Sequence, residues 1–401
     1  MSDKTTGLIH HPYVPPEGFE APLPGVYKAS TVFFPNVAAM RSREWKDKTA
    51  YTYGLHGTPT SYLLEERIAT LEGGAQCLLV PSGLAAIATV ALSLLQSGDE
   101  VLIPDNAYGP NKALAEGELK AWGITHQIYD PMDPQDLARR ISARTQLVWL
   151  EAAGSVTLEF PDLPELVRVC RAANSGAGVR CALDNTWGAG LAFNAFELGA
   201  GQGVDLTIHA LTKYPSGGGD VLMGAIVTRD AALHIRLKLT HMRLGLGVGM
   251  NDVEAVLRAL PSIALRYAAH DRATRALARW CTTRPEFAQV LHPALPTSPG
   301  HAHWQALCGE AEGHAAGLFS VVFPERYSTQ QVDAFCDALR LFRLGYSWGG
   351  PVSLVVPYNL AQSRRTWPAH LARGTLVRFS VGLEAVEDLQ ADLAQALAQL
   401  A

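Results

Sequence analysis

Residues 206–219, LTIHALTKYPSGGG, contain the segment that decides how the chain is interpreted. Leu206–His209 is short and apolar, as expected for a buried strand, and Lys213 follows it just before a run of glycines. A lysine in an apolar, partly desolvated site has a lowered pKa and can act as a nucleophile. The segment therefore predicts a reactive lysine beyond the end of a strand. Taken alone, a surface lysine beside a glycine turn is the more common case.

Strand and helix patterns alternate around this segment. Strands are predicted at Val101–Ile103, Thr125–Ile128, Leu147–Leu150, Val179–Leu183, Leu206–His209 and Gly224–Val227, and helices at Ser61–Leu71, Asp133–Ser142 and Leu163–Ala173. Such alternation predicts an α/β fold with a mostly parallel sheet that is covered by helices on both faces. Sheets of this kind bind ligands beyond the carboxyl ends of their strands.

The 401 residues are enough for about two domains. Residues 1–60 are rich in proline and predict an arm that lies over another surface. Residues 61–257 contain the predicted parallel sheet, and a long helical stretch, Val253–Arg284, follows it with a break or kink at Pro261. Residues 258–401 are predicted to form a smaller α/β domain, with helices at Thr329–Leu341 and Val386–Gln399 and strands near Leu318–Val322 and Leu376–Ser380.

Composition and charge exclude several classes of function. The net charge is −5 and there is no basic block, so electrostatic capture of nucleic acid is not expected. The first residues lack the apolar stretch of a secretory signal. The most apolar stretch, Gly83–Leu95, is too short to cross a bilayer. The six cysteines are scattered, as in reduced thiols, so we expect a cytoplasmic protein without membrane contact.

A metal site is not predicted. His301 and His303 have alternate spacing, but no carboxylate or cysteine cluster accompanies them. They follow Pro299 and Gly300, so we interpret them as surface residues of a loop.

An acidic residue follows another predicted strand. Asp184 comes directly after Val179–Leu183 and begins the motif DNTW at residues 184–187. A buried carboxylate is costly unless a cation meets it. The protonated ring nitrogen of pyridoxal 5′-phosphate (PLP) is such a cation in the enzymes that use this cofactor. An aspartate that caps a helix is the alternative.

The segment PSGL, residues 81–84, lies where an apolar run turns into a helical pattern. Ser82 can cap the helix, and the N–H groups of Gly83 and Leu84 then point at an anion, with the helix dipole behind them. This pattern predicts a phosphate site, and simple helix capping is the alternative.

Two other side chains belong to the same hypothesis. Tyr108 follows the strand Val101–Ile103 and could stack on a planar ring at that edge of the sheet, or pack in a turn. Arg378 lies in an apolar strand and needs a carboxylate or phosphate partner, which a structural ion pair could also supply.

The order and spacing of these motifs resemble the Cys/Met-metabolism family of PLP enzymes. The resemblance runs from about Tyr51 to the C-terminus and is carried by YGLHGTPT (53–60), LEGG (71–74), PSGLAA (81–86), DNTW (184–187), ALTKY (210–214) and YSWGG (346–350). It implies the PLP-dependent transferase fold, which is aspartate-aminotransferase-like (fold type I), with a large domain and a smaller C-terminal one. It also implies a homotetramer in which residues 1–60 contribute to a neighbouring subunit.

The same resemblance implies how the cofactor is held. Lys213 is expected to bind it covalently and later to move the proton of the substrate's α-carbon. Asp184 is expected to keep the pyridine nitrogen protonated, and Tyr108 to stack on the ring and assist transfer of the substrate. The phosphate is expected to contact Gly83, Leu84 and Thr212, with Tyr53 reaching the site of a neighbouring subunit.

For the substrate, the resemblance implies that Arg378 clamps the α-carboxylate and that Ser347 helps to orient it. Trp348 is expected to shape the pocket for a thioether arm, and Tyr53 to contact the substrate. Trp348, and the segment GSVTLE at 154–159, are most similar to family members that cleave cystathionine at its β-carbon. The expected activity is β-elimination of L-cystathionine to homocysteine, pyruvate and ammonia.

Three alternatives stay open from the sequence. They are β-cleavage of other cysteine S-conjugates, γ-chemistry on the same scaffold, and a non-catalytic PLP-binding regulatory protein. One departure from the family pattern favours the last: Leu55 stands where the family carries an arginine that reaches the phosphate of a neighbouring subunit. His56, the next residue, is a hypothetical substitute for that arginine.

Overall fold

The computed structural model describes residues 4–173, 179–199, 201–309, 314–362, 364 and 366–400. Its α-helices are α1 (Lys4–Ile9), α2 (Val37–Ser42), α3 (Pro59–Glu72), α4 (Gly83–Leu94), α5 (Gly109–Leu114), α6 (Pro134–Arg140), α7 (Leu163–Ala172), α8 (Ala231–Leu244), α9 (Met250–Ala259), α10 (Ile263–Thr282), α11 (His301–Cys308), α12 (Thr329–Ala338) and α13 (Val386–Leu397). Short 3₁₀ turns lie at Gly54–His56, Leu260–Ser262, Leu360–Gln362 and Ala398–Leu400, and a π-helical turn lies at Ala115–Leu119.

The larger sheet has seven strands within the described ranges. They are β1 (Gln76–Val80), β2 (Glu100–Pro104), β3 (Thr125–Tyr129), β4 (Thr145–Glu151), β5 (Arg180–Asp184), β6 (Leu206–His209) and β7 (Gly224–Thr228). Their order across the sheet is β1-β7-β6-β5-β4-β2-β3. The neighbours from β6 to β3 run parallel, and β7 is antiparallel to both β1 and β6. The predicted mostly parallel sheet is confirmed.

Helices cover both faces of the larger sheet. Along β4, Leu147 and Trp149 pack in the core cluster that contains α4, while Val148 and Leu150 pack in the cluster that contains α7. A strand whose two faces are both buried reads as a continuous apolar run, which is why it was recognised in the sequence.

The smaller sheet contains β8 (Gln289–Leu291), β9 (Leu318–Pro324), β10 (Arg343–Leu344), β11 (Leu354–Tyr358) and β12 (Gly374–Ser380), in the order β10-β11-β12-β9-β8. Of these, β10 and β11 are parallel and the other neighbours are antiparallel. Its core includes side chains of α10, α12 and α13. The predicted domain bounds after residues 60 and 257 stay a prediction.

The long helical stretch after the larger sheet is two helices. The first ends at Ala259 and the second begins at Ile263, with Pro261 in the 3₁₀ turn between them. The predicted break at Pro261 is confirmed, because the proline ring cannot continue a helix without loss of a hydrogen bond.

Several helices are not predicted from the sequence, among them α8 and α11. The segment 231–244 forms α8, which Asp230 caps by accepting hydrogen bonds from the N–H groups of Ala232 and Leu233. The loop predicted at His301 and His303 is wrong, because Gly300 adopts a left-handed conformation and α11 begins directly after it. No helix of the described residues is long and apolar enough to cross a membrane.

Candidate active site

A cavity of about 780 Å³ lies beyond the carboxyl ends of β2, β4, β5 and β6. Side chains from the loops of the smaller sheet close it on the other side. It brings together most of the residues that the sequence proposed for a site, namely Gly83, Leu84, Tyr108, Asp184, Thr212, Lys213, Ser347, Trp348 and Arg378. The location is the one expected for ligands of a parallel sheet.

Lys213 is held inside this cavity by a hydroxyl group. Its Nζ donates to Ser347 Oγ at 2.6 Å and lies 5.3 Å from the centre of the Trp348 ring. Burial, and then the charge of Arg378, lower the pKa of Lys213 to about 8, whereas Asp184 acts in the opposite direction. The amine is therefore partly neutral near neutral pH, as a nucleophile or a proton acceptor requires.

The backbone around Lys213 is fixed by its neighbour. The Tyr214 hydroxyl accepts from Gly317 N at 2.7 Å, and Arg266 Nη1 donates to Tyr214 O at 2.6 Å. Gly349 passes so close that a Cβ atom there would lie 3.0 Å from Tyr214 N. The lysine consequently sits on a rigid turn between the two sheets.

Asp184 faces the same cavity from the end of β5. Its Oδ1 accepts from Thr186 N at 3.0 Å. Burial raises the pKa of Asp184, while hydrogen bonds from Thr186 and the charges of His209 and Lys213 lower it. A buried carboxylate with these surroundings suits a cationic ring nitrogen, which would stabilise its ionised form.

The N-terminus of α4 opens on the cavity. Ser82 Oγ accepts from Ala85 N at 3.0 Å, so the predicted cap is present. The backbone packs tightly here: a Cβ atom on Gly83 would lie 2.8 Å from the Cβ of Ala210. The first turn, at Gly83 and Leu84, can present its N–H groups to a phosphate.

Thr212 also lines the cavity, but its hydroxyl is already engaged. Thr212 Oγ1 accepts from Met223 N at 3.2 Å and lies 3.3 Å from Met223 O. Its predicted contact with a phosphate stays a prediction.

Arg378 leaves donor capacity for an anion. Its Nη2 donates to Ser347 O at 3.2 Å, and its guanidinium carbon lies 5.5 Å from the centre of the Tyr358 ring. The Nε atom is buried and has no hydrogen-bond partner among the described residues. Because a buried unpaired donor is unfavourable, the arginine is suited to a carboxylate that enters the cavity.

Tyr108 lies at the start of α5 with 44% of its surface exposed. Its backbone N donates to Glu151 Oε2 at 2.7 Å. Burial is the main cause that raises the pKa of Tyr108, so its hydroxyl holds its proton. The ring is available for stacking on a planar group.

Tyr53 is not brought to this cavity within the described chain. It lines a second cavity of about 670 Å³ together with Leu55 and Gly247. His56 is stacked on Trp45 at 4.0 Å, and its Nδ1 lies 2.8 Å from Thr52 Oγ1. Burial, and then Lys238, lower the pKa of His56 and favour its neutral form, which does not support the hypothesis that His56 acts as a cation toward a phosphate.

Glu151, Tyr358 and Arg364 are among the side chains of the cavity that the sequence analysis does not single out. Glu151 carried a signal, because it follows an apolar run just as Asp184 does. Tyr358 and Arg364 carried no comparable sequence signal, because their positions in the cavity depend on how the smaller sheet is assembled. Arg364 is bonded to Thr157 and donates to Glu159 Oε1 at 2.7 Å. The described residues contain no group of three metal-ligating side chains.

These residues fit pyridoxal phosphate. The half-buried amine of Lys213 suits the aldehyde of the cofactor, and the carboxylate of Asp184 suits its ring nitrogen. The N-terminus of α4 suits the phosphate, and the unpaired donor of Arg378 suits the carboxylate of a substrate. The fit depends on the arrangement of the chain's own donors and acceptors.

The chain is similar to known proteins over nearly its full length. It matches the family described as Cys/Met metabolism PLP-dependent enzyme over residues 5–398. It is 40% identical to a putative cystathionine beta-lyase of Rhizobium johnstonii and 39% identical to the cystathionine beta-lyase of Bordetella avium, and each alignment covers 94% of this chain and 91% of the relative.

A solved structure is similar as well. It is the cystathionine gamma synthase from Xanthomonas oryzae pv. oryzae in complex with aminoacrylate and cysteine. Its TM-score is 0.86 at 28% identity, with 100% of this chain and 99% of that chain covered. The similarity therefore includes both sheets and the cavity between them.

Proposed function

Because the chain belongs to the Cys/Met metabolism family of PLP-dependent enzymes, we propose that it is a carbon–sulfur lyase that cleaves L-cystathionine at the β-carbon. Membership confirms two predictions from the sequence, fold type I and pyridoxal phosphate as the cofactor. The proposed products are homocysteine, pyruvate and ammonia. The two relatives named cystathionine beta-lyase support β-cleavage.

The observation that carries the proposal is the position of the Lys213 amine. Its Nζ lies in the cavity, 2.6 Å from Ser347 Oγ, and its pKa of about 8 allows it to accept a proton near neutral pH. We propose that Lys213 attaches the cofactor and then moves the proton at the α-carbon of the substrate. When bound, the cofactor supplies a positively charged ring that accepts the electron pair left at that carbon.

Arg378 and Ser347 are proposed to orient the substrate. The buried Nε of Arg378 has no hydrogen-bond partner in the described part of the chain, and two parallel hydrogen bonds to an α-carboxylate would satisfy the guanidinium. Ser347 binds both partners, since its hydroxyl accepts from Lys213 Nζ and its carbonyl accepts from Arg378 Nη2. The carboxylate would thus be fixed relative to the amine that takes the proton.

Asp184 is proposed to remain ionised opposite the ring nitrogen, because a cation there favours the charged carboxylate. The N–H groups of Gly83 and Leu84 are proposed to hold the phosphate, with Thr212 beside them. Tyr108 is proposed to stack on the ring and Trp348 to shape the space for the thioether arm.

Residues from a second subunit complete the proposed site. Tyr53 lies in the second cavity of its own chain, and 47% of its surface is exposed. We propose that this tyrosine contacts the cofactor and substrate of a neighbouring subunit, within a homotetramer.

Cleavage at the γ-carbon is the second candidate. It is favoured by the likeness of this chain to the L-methionine gamma-lyase of Pseudomonas putida, which is 30% identical over 98% of this chain and 96% of that relative. β-Cleavage and γ-cleavage break different carbon–sulfur bonds of cystathionine, so the two reactions can be distinguished by their products.

The test is incubation of the PLP-loaded protein with L-cystathionine. Homocysteine with pyruvate and ammonia is expected, whereas cysteine with 2-oxobutyrate would show γ-cleavage. A panel of other cysteine S-conjugates, compared by kcat/KM, tests the substrate range. Cofactor binding without turnover of any of them would favour a regulatory protein.

A further inference from the structure

Glu151 and Asp184 are two carboxylates that end neighbouring strands and line the same cavity. They are direct register partners of β4 and β5. Partners in register project to the same face of a sheet, so the two side chains lie beside each other. Two buried negative charges side by side are unfavourable unless a cation lies close to each of them.

The two carboxylates have different partners. Glu151 Oε2 accepts from Tyr108 N at 2.7 Å, and Oε1 is 2.5 Å from Ser155 Oγ. Glu151 therefore joins the start of α5 to the loop after β4. Asp184 instead accepts from Thr186 N at its own strand end and feels the charges of His209 and Lys213.

The groups that face Glu151 come from three elements. Asp184 lies on β5, Tyr129 on β3, Tyr108 at the start of α5 and Lys112 within it. Burial, and then Asp184, raise the pKa of Glu151 to about 8, whereas Ser155, Tyr108 and Lys112 lower it. Lys112, the cation whose charge lowers the pKa of Glu151, donates from its Nζ to Asp105 O at 2.9 Å.

We propose that Glu151 is a positioning residue that keeps its proton in the assembled site. Its two oxygens accept from Ser155 Oγ and from Tyr108 N, so Glu151 fixes the backbone that carries the Tyr108 ring to the loop after β4. Asp184 is then the carboxylate that faces the cofactor. This inference rests on the proposed function, since the role of Asp184 comes from it.

The first test uses the cofactor-free protein. A carboxyl whose pKa rises from 4.5 to about 8 on folding binds more protons in the folded than in the unfolded state between those pH values. The stability of the folded protein therefore falls as the pH rises through that window. We expect the urea midpoint of the natural protein to fall relative to that of Glu151→Gln between pH 5 and pH 8.

The second test compares variants of the loaded protein. Glu151→Gln keeps a neutral group with one donor and one acceptor, so kcat/KM is expected within about threefold of the natural value. Glu151→Ala leaves the Tyr108 N–H without its acceptor, and we expect about tenfold lower kcat/KM and weaker cofactor binding. Asp184→Asn is the matched control, because an amide there removes the proposed anion and is expected to weaken cofactor binding more than Glu151→Gln does.

Two results would overturn the proposal. One is a set of urea midpoints for the natural protein and Glu151→Gln that run parallel from pH 5 to pH 8. The other is a loss of cofactor affinity in Glu151→Gln as large as that in Asp184→Asn. Failure of the proposed function would look different, because the natural protein would then not cleave cystathionine at the β-carbon, while the urea experiment would still report on Glu151.

Discussion

Lys213 Nζ donates a 2.6 Å hydrogen bond to Ser347 Oγ, which lies 134 positions further along the chain. Lys213 follows the last parallel strand of the larger sheet, and Ser347 lies between β10 and β11 of the smaller one. The backbone at Ser347 has φ of 90°, a left-handed conformation that a serine rarely adopts. The two sheets thus meet at the proposed reactive amine.

Ser347→Ala is expected to lower kcat/KM about tenfold, because Lys213 and the substrate lose a hydroxyl that orients both. Steady-state kinetics with cystathionine checks this. Ser216→Ala is the control, since the Ser216 hydroxyl bonds to the backbone carbonyls of Thr212 and Lys213 and not to the amine. Equal losses in the two variants would contradict a specific role for Ser347.

Arg378→Lys is expected to raise KM for cystathionine and to lower kcat/KM by about 10²-fold. A lysine cannot supply two parallel hydrogen bonds to a carboxylate, and each charged bond contributes about 1.5–3 kcal/mol. Substrate kinetics over a wide concentration range is the measurement. Arg343→Lys, on the exposed strand β10, is the matched control. If KM were the same in both variants, Arg378 would not be the carboxylate clamp.

Lys213→Met is expected to stabilise the cofactor-free protein by about 1–2 kcal/mol at pH 7. Folding lowers the pKa of Lys213 from 10.5 to about 8, so below pH 8 the folded protein carries a partly buried charge at an energetic cost. Above pH 8 the unfolded state binds more protons, and the natural protein becomes more stable as the pH approaches 10.5.

The difference in the free energy of unfolding should therefore shrink between pH 8 and pH 10.5. Urea unfolding of both proteins across this range measures it. Lys120→Met, at an exposed lysine, controls for a general effect of the substitution. A difference that does not change with pH would show that Lys213 is not destabilised by burial.

Leu55→Arg is expected to tighten binding of pyridoxal phosphate about tenfold, because in the proposed homotetramer it would add a cation next to the phosphate of a neighbouring subunit. Titration of the cofactor-free protein by absorbance gives the dissociation constant. Leu55→Met separates the effect of charge from that of shape. Unchanged affinity in Leu55→Arg would mean that the arm does not reach a phosphate.

His56→Ala is expected to leave cofactor affinity unchanged at neutral pH. The ring stacks on Trp45, Thr52 lies within hydrogen-bond distance of it, and burial favours its neutral form. The same titration measures the effect. Weaker binding in this variant would restore the hypothesis that His56 replaces the missing arginine.

The larger sheet could be predicted from the sequence because most of its strands are buried on both faces. Leu147–Leu150, for example, is a continuous apolar run, and Pro261 marks the end of a helix by its covalent structure. The helix at 231–244 was missed because its buried residues do not form a continuous apolar stripe: Lys238 and two histidines are among them.

The candidate site was predictable where one residue follows one strand, as with Asp184 and Lys213. Glu151 was missed although it ends β4, because its position beside Asp184 is known only once β4 and β5 are paired in register. Tyr358 approaches Arg378 through an antiparallel pairing of β11 and β12 that local sequence does not encode. Long-range pairing decides such contacts, so a single sequence leaves them open.

The most direct test of the central claim is borohydride reduction of the PLP-loaded protein, followed by peptide mass analysis. We expect a yellow protein in which reduction fixes a pyridoxyl group on Lys213. A protein that stays colourless with added pyridoxal phosphate and gives no modified peptide at Lys213 would contradict the account.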